Sequence, residues 1–341
     1  MKIYNSHEFI REKVKGISPS MRYNSDEDFS AWQKKAREKL LELMGLPFES
    51  CDDEFHIREE KEFPDYKRID FEFQSEEGYF VSSSILIPKG KVGKLPTTIC
   101  IQGHSTGMHI SLGEPKYDRD VKSISGGRDF AVRAVKEGLC AVTLEQRYMG
   151  SAGHTEDGSP SCRRQNTSMA TLLLGRCAIG ERVWDISRLI DVICKYFSEY
   201  IDEKNIICLG NSGGGTATFY ASCIDSRISI SVPSCSVCTY EDSIIAMDHC
   251  PCNFIPGIRN YFEMGDLTGL IAPKKLVIVC GKEDSIFPLE GVRKTFEVTK
   301  SIYKMLSLED DCVLVEGNGG HQFYPDEAWP VIHRFLEKKG E

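Results

Sequence analysis

The order of apolar and polar positions divides the chain into two textures. In SDEDFSAWQKKAREKLLELMG, residues 25–45, Phe29, Trp32, Ala36, Leu40 and Met44 recur at steps of three and four, the spacing of one buried helix face. Ser25 with Asp28 reads as a capping-box start, and Gly45-Leu46-Pro47 as the stop. Three runs with an alternating pattern follow, EFHIREEKEF, YKRIDFEFQ and YFVSSSILIP, separated by Pro64-Asp65 and by SEEG; they predict antiparallel strands. From residue 96 short apolar runs (TTICIQ, CAVTLE, NIICLG, ISISVP, KLVIVCG and CVLVEG) alternate with helical segments. The clearest helix is ERVWDISRLIDVICKYF, with Val183, Ile186, Ile190, Ile193 and Phe197 on one face; the last is PDEAWPVIHRFLEKK, begun by Pro325. Strands that are apolar throughout and separated by helices predict a mostly parallel sheet covered on both faces. The chain therefore reads as α/β: an N-terminal helical extension over 1–52, then one domain over 53–341. Two longer connections, 147–180 and 234–272, are expected to wall a site or form a lid.

Composition narrows the partners. The chain has 341 residues, 41% apolar and 27% charged, enough for a sizeable core. A net charge of −9 without a Lys/Arg stripe argues against nucleic acid and anionic membrane. No apolar run approaches the roughly 20 residues of a membrane span, and MKIYNSHEFIREKVKG lacks the apolar core of a secretory signal. Fourteen cysteines in such a chain read as reduced, mostly buried thiols, which places the expected location in the cytosol. Homo-oligomerisation is left open. Cys235 and Cys238 (CSVC) followed by His249, Cys250 and Cys252 (HCPC) spell a conceivable zinc site. Cys-Pro-Cys is poor chelating spacing, however, and small apolar thiols are the simpler reading. No metal and no cofactor are expected.

Two serines carry the Gly-x-Ser-x-Gly pattern of a nucleophile elbow: Ser105 in Gly103-His104-Ser105-Thr106-Gly107, and Ser212 in Gly210-Asn211-Ser212-Gly213-Gly214. An elbow requires a strand that ends abruptly, a strained turn and an immediate helix, whose N-terminus aims positive charge at the reacting centre. NIICLG, three glycines and TATFYASC meet that requirement around Ser212; TGMHISLGEPKYD offers no helix after Ser105. The partners of a nucleophilic serine should follow as acid, then histidine, each after a later strand. KLVIVCGKEDSIFP delivers Asp284, with Glu283 the weaker alternative, and CVLVEGNGGHQF delivers His321. His333 falls within the last helix, and His7, His56 and His154 precede the elbow or lie in polar stretches. The candidate catalytic set is Ser212, Asp284 and His321. An oxyanion would then be met by backbone N–H groups of Gly213 and of His104, with Ser105 as fallback for the latter. Arg147 is either a brace for the site or the partner of Glu145 in a buried ion pair. Phe254, Ile255 and Tyr261, in CNFIPGIRNYF, are candidates for a substrate pocket or for core. A dinucleotide site is disfavoured because GNSGGGTAT lacks Gly-x-Gly-x-x-Gly in register and no Gly-Lys-Ser/Thr loop occurs.

From about residue 55 to the end, the chain resembles the α/β-hydrolase superfamily, most of all its acetyl xylan esterase-like and dienelactone hydrolase-like branch. The likeness rests on IQGHSTG, EQRYMGSAG, LLLGRCAIGERVWDISRLID, GNSGGG, HCPCNFIPGI, GKEDSIFP and GGHQF. It departs from related carbohydrate deacetylases where Gly213 follows Ser212 in place of Gln, and where Gln146-Arg147-Tyr148 replaces Arg-Gly-Gln. The resemblance implies an α/β-hydrolase fold, an N-terminal helix packed near the site, and cleavage of a short acyl ester, such as an acetyl group on carbohydrate. A peptidase, amidase or lactone hydrolase on the same residues, and a non-catalytic binding protein of this fold, remain the alternatives.

Overall fold

The structure is a computed structural model that describes residues 2–24, 26–153, 155–162 and 167–337. Its frame is one nine-stranded sheet: β1 (His56–Glu62), β2 (Tyr66–Glu76), β3 (Tyr79–Pro88), β4 (Leu95–Ile101), β5 (Cys140–Leu144), β6 (Ile201–Asn211), β7 (Ile228–Ser234), β8 (Lys275–Gly281) and β9 (Cys312–Gly317). The spatial order is β1-β2-β3-β5-β4-β6-β7-β8-β9. The β1–β2, β2–β3 and β3–β5 pairs are antiparallel, and every later pair is parallel. This is an α/β-hydrolase fold, a mostly parallel sheet with an antiparallel N-terminal edge.

The seven longest helices that accompany it among the described residues are α1 (Ser6–Lys15), α2 (Phe29–Met44), α3 (Phe130–Lys136), α4 (Ala178–Tyr196), α5 (Gly213–Ile224), α6 (Leu289–Met305) and α7 (Pro325–Glu337). Among the described residues, no helix is long and apolar enough to cross a membrane. The central strands are apolar at every position because alternate residues feed opposite cores. Ile99, Ile101, Ile206 and Cys208 join the core shared with α2, α4 and α5, whereas Cys100, Ile207 and Leu209 join the core beneath α3 and α7.

The expected helix at 25–45 begins later. Asp28 is its N-cap and accepts a bond from the Ala31 N–H at 2.8 Å, while Ser25 lies outside the described residues. Gly45 ends the helix in the left-handed region, as its place in the pattern implies. Trp32, Ala36, Leu40 and Met44 are buried in the first core, and Gln33 and Arg37 bond carbonyls of Gly269, Ala272, Cys223 and Leu270. In α4, Val183, Ile186, Ile190 and Ile193 are buried, and Phe197 packs just beyond its end.

Candidate functional site

The strand-to-helix turn between β6 and α5 holds Ser212 at φ 57° and ψ −124°, a left-handed value rare outside glycine. Two bonds fix the turn: the Ser212 N–H donates to the Ser234 carbonyl at 2.8 Å, and the Ser234 hydroxyl donates to Asn211 Oδ1 at 2.9 Å. The glycines allow close approach. A Cβ on Gly214 would lie 2.2 Å from the Ile101 carbonyl oxygen, and one on Gly103 would lie 2.6 Å from that of Asn211 and 3.0 Å from Ser212 Cβ. The loops after β4 and β6 are thus pressed together.

Asp284 follows β8 and His321 follows β9. Nδ1 of His321 lies 2.8 Å from Asp284 Oδ2, while Oδ1 of the same carboxylate accepts the N–H groups of Ile286 and Phe287. Burial pushes this carboxyl up, but the bond and charge of His321 and the two amides outweigh it, so Asp284 titrates below its ordinary value. Phe287 stacks on the His321 ring at 5.9 Å between centroids. Ser212, Gly213, His321, Phe287, His104 and Cys162 share the lining of one cavity of about 440 Å³. Glu283 is exposed. His333 pairs with Glu137, His7 and His56 are exposed, and His154 lies outside the described residues.

The Ser105 motif takes another form. After β4 the chain makes bends and a single 3₁₀ turn at Met108–Ile110, not an α-helix. The Ser105 hydroxyl accepts a 3.4 Å bond from the Gly107 N–H, and Thr106 and His109 both bond Asp120. The neighbouring His104 ring lies over Gly213: a Cβ there would meet His104 Nδ1 at 2.8 Å. Gly213 opens α5, so its N–H has no carbonyl in a preceding turn to bond.

Three expectations are corrected. Phe254, Ile255 and Tyr261 do not line the Ser212 cavity. Phe254 and Ile255 face a separate apolar hollow with Met169 and Ala178, and Tyr261 packs under Lys39. Met247–Cys250, Asn253 and Pro160 line the Ser212 cavity instead, drawn from both long connections. Arg147 does not pair with Glu145; it makes two 2.9 Å bonds to Asp185 and lies over the Tyr79 ring. Glu145 instead accepts the Met108 and Ser151 N–H groups. The N-terminal helix α2 belongs to the first core, and none of its residues lines the cavity.

The cysteine motifs are split apart. Cys235 Sγ donates to the Gln322 carbonyl and Cys238 lies by Pro288. Cys250 and Cys252 meet Cys162 and His104, two residues no local spacing connects to them. Hydrogen bonds from Cys162 and Cys252 draw the Cys250 thiol down. Arg128 was also illegible in sequence: two of its guanidinium nitrogens are buried without a hydrogen-bond partner among the described residues, and Nη2 lies 3.3 Å from where a Gly103 Cβ would stand.

Comparison with known proteins agrees with this architecture. The model of an Abhydrolase family, Abhydrolase_7, matches residues 3–307. A curated protein of Bacillus subtilis (strain 168), named "Putative hydrolase YtaP", is 25% identical over 173 residues, which make up 49% of this chain and 56% of that protein. The chain therefore spans little more than half the length of that curated relative. A "putative acetyl xylan esterase" from Bacteroides fragilis NCTC 9343 superposes with a TM-score of 0.76 over 92% of this chain and 83% of its own, at 18% identity. A glucuronoyl esterase from Solibacter usitatus does so with a TM-score of 0.72 over 94% and 98%, at 12% identity.

Proposed function

This chain belongs to the Abhydrolase family, and from that premise we propose that it is a serine hydrolase cleaving carboxylic esters through an acyl-enzyme on Ser212. The observation that carries the reading is the 2.8 Å His321–Asp284 contact opening onto the same cavity as a serine held at positive φ on a helix N-terminus. Asp284 accepts a hydrogen bond from the Nδ1–H of His321, which fixes the tautomer and leaves Nε2 free to accept. Ser212 Oγ attacks the carbonyl carbon as its proton passes to Nε2, and Asp284 offsets the imidazolium. The oxyanion is met by the N–H groups of Gly213 and His104, each worth about 3 kcal/mol of transition-state stabilisation. Collapse breaks the bond to the alcohol, which leaves with the proton from His321; water repeats the sequence and frees the acid.

The small cavity favours a short acyl group such as acetyl, and the names of the structural neighbours favour a carbohydrate ester. Residues 53–341 form the catalytic domain and 1–52 its extension, and the fourteen free thiols suit the cytosol. Ser212→Ala should lower kcat for p-nitrophenyl acetate by at least on the order of 10³, and abolish labelling by a fluorophosphonate. Ser105→Ala should keep most of the activity. The reverse pair of outcomes refutes the assignment.

A further inference from the structure

Beside the Ser212 cavity, four side chains from three distant stretches converge: His104 after β4, Cys162, and Cys250 with Cys252. Nε2 of His104 lies 3.1 Å from Cys252 Sγ, Cys162 Sγ lies 3.0 Å from Cys250 Sγ, and the Cys250 and Cys252 sulfurs are 3.1 Å apart. All four donor atoms fall within 4.8 Å of one another. We propose that these residues form a tetrahedral Cys₃His site for a zinc ion, which pins the loop carrying His104 against the N-terminus of α5.

Three independent features support it. First, the donor set is soft and complete: three sulfurs and one imidazole nitrogen, the ligand chemistry that selects zinc over magnesium or calcium. Zinc bonds of about 2.3 Å to sulfur and about 2.0 Å to nitrogen give ligand–ligand edges of roughly 3.5–3.8 Å. The three close contacts of 3.0–3.1 Å would open by about 0.4–0.8 Å to admit the ion, inside the 4.8 Å that encloses all four atoms. The sulfurs are too far apart for a disulfide, which needs about 2.05 Å. Second, the thiols are not core filler. Cys140, Cys208 and Cys223 pack into the main core, whereas Cys162, Cys250 and Cys252 form a separate small cluster with Tyr148 and Ala178. Third, the charges balance. Arg182 is 1% exposed; among the described residues its guanidinium bonds the Arg147 carbonyl and, at 3.3 Å, Cys252 Sγ, and it lies over the Tyr148 ring. No carboxylate pairs with it among the described residues. A buried cation needs a counter-charge; zinc (+2) with three thiolates (−3) and a neutral imidazole leaves −1, which Arg182 (+1) cancels.

With four protein ligands the site is closed, which fits a holding role and leaves no position for substrate. The His104 ring stacks against Gly213, so an ion gripping its Nε2 would also fix the His104 backbone N–H. That last consequence rests on the proposed function; the metal site does not.

The test uses the full chain, purified under reducing conditions without chelator. Elemental mass spectrometry should find about one zinc per chain, and Cys252→Ser and His104→Ala should each hold less than about a tenth of that. Cys238→Ser, at a thiol outside the cluster, should keep it. Because a ligand variant could unfold, the wild-type protein stripped of metal and refilled with cobalt provides a second readout: the visible bands of tetrahedral cobalt–thiolate. Folded wild-type protein that takes up neither ion, or that yields only twelve titratable thiols because two are joined, overturns the site. A zinc-loaded protein that cleaves no ester leaves the site intact and sinks the hydrolase reading instead.

Discussion

Ser212 sits in a backbone region that costs a non-glycine residue about 1–3 kcal/mol, a strain that persists only because the Ser234 and Asn211 contacts hold the turn. Its two proposed partners are related differently: Asp284 is locked by two backbone amides and orients an imidazole that remains partly open to the cavity. Asp284→Asn would keep the shape but favour the wrong His321 tautomer, so kcat on p-nitrophenyl acetate should fall on the order of 10⁴ with little change in KM. A small loss in steady-state kinetics would remove Asp284 from the mechanism. These three residues were legible because each follows a recognisable strand, and order along the chain supplied the rest. Arg128 and Cys162 follow no such pattern. Their surroundings come from residues far away in sequence, and a lone arginine or cysteine in a loop carries no signal of what it will face.

At the scale of elements, α5 must begin almost in contact with β4. Gly214→Ala would place a methyl 2.2 Å from the Ile101 carbonyl and 2.4 Å from that of Gln102, both backbone atoms that cannot swing aside. Chemical denaturation should show a loss of about 3 kcal/mol, while Gly126→Ala, where a Cβ meets nothing within 4 Å, should stay within about 0.5 kcal/mol. Equal losses would mean the helix start tolerates retreat. At α2, Asp28→Ala should cost about 1 kcal/mol by removing the bond to the Ala31 N–H, read from the same denaturation curves. The cap also shows where pattern reading slips. Ser25 and Asp28 are both good caps in sequence, and which one serves depends on where the chain turns onto the core through Met21 and Trp32. Strands were easier to find than helix starts, because a strand buried on both faces announces itself by unbroken apolar character.

For the whole molecule, Glu145 ties the loop after β4 to the segment after β5 through the Met108 and Ser151 amides. Burial drives its carboxyl up from 4.5 to about 7. Between those values the folded chain keeps a proton that the unfolded chain has released, so stability from this group falls as pH rises through the interval and is level above it. Glu145→Gln should flatten the profile of unfolding free energy between about pH 4.5 and 7, a difference on the order of 3 kcal/mol across the interval. A wild-type slope that survives the substitution places the protonation elsewhere. The amino-acid sequence by itself determined the class of fold, the strand and helix succession, and the candidate nucleophile, acid and base, because periodicity, glycine placement and chain order are local or ordered properties. Only the tertiary structure decided the cavity walls, the partner of Arg147 and the grouping of Cys162, Cys250 and Cys252 with His104. Those depend on distant loops being brought side by side, His104 and Cys252 for instance lying 148 residues apart in the chain, and packing of that range leaves no spacing in the chain to read.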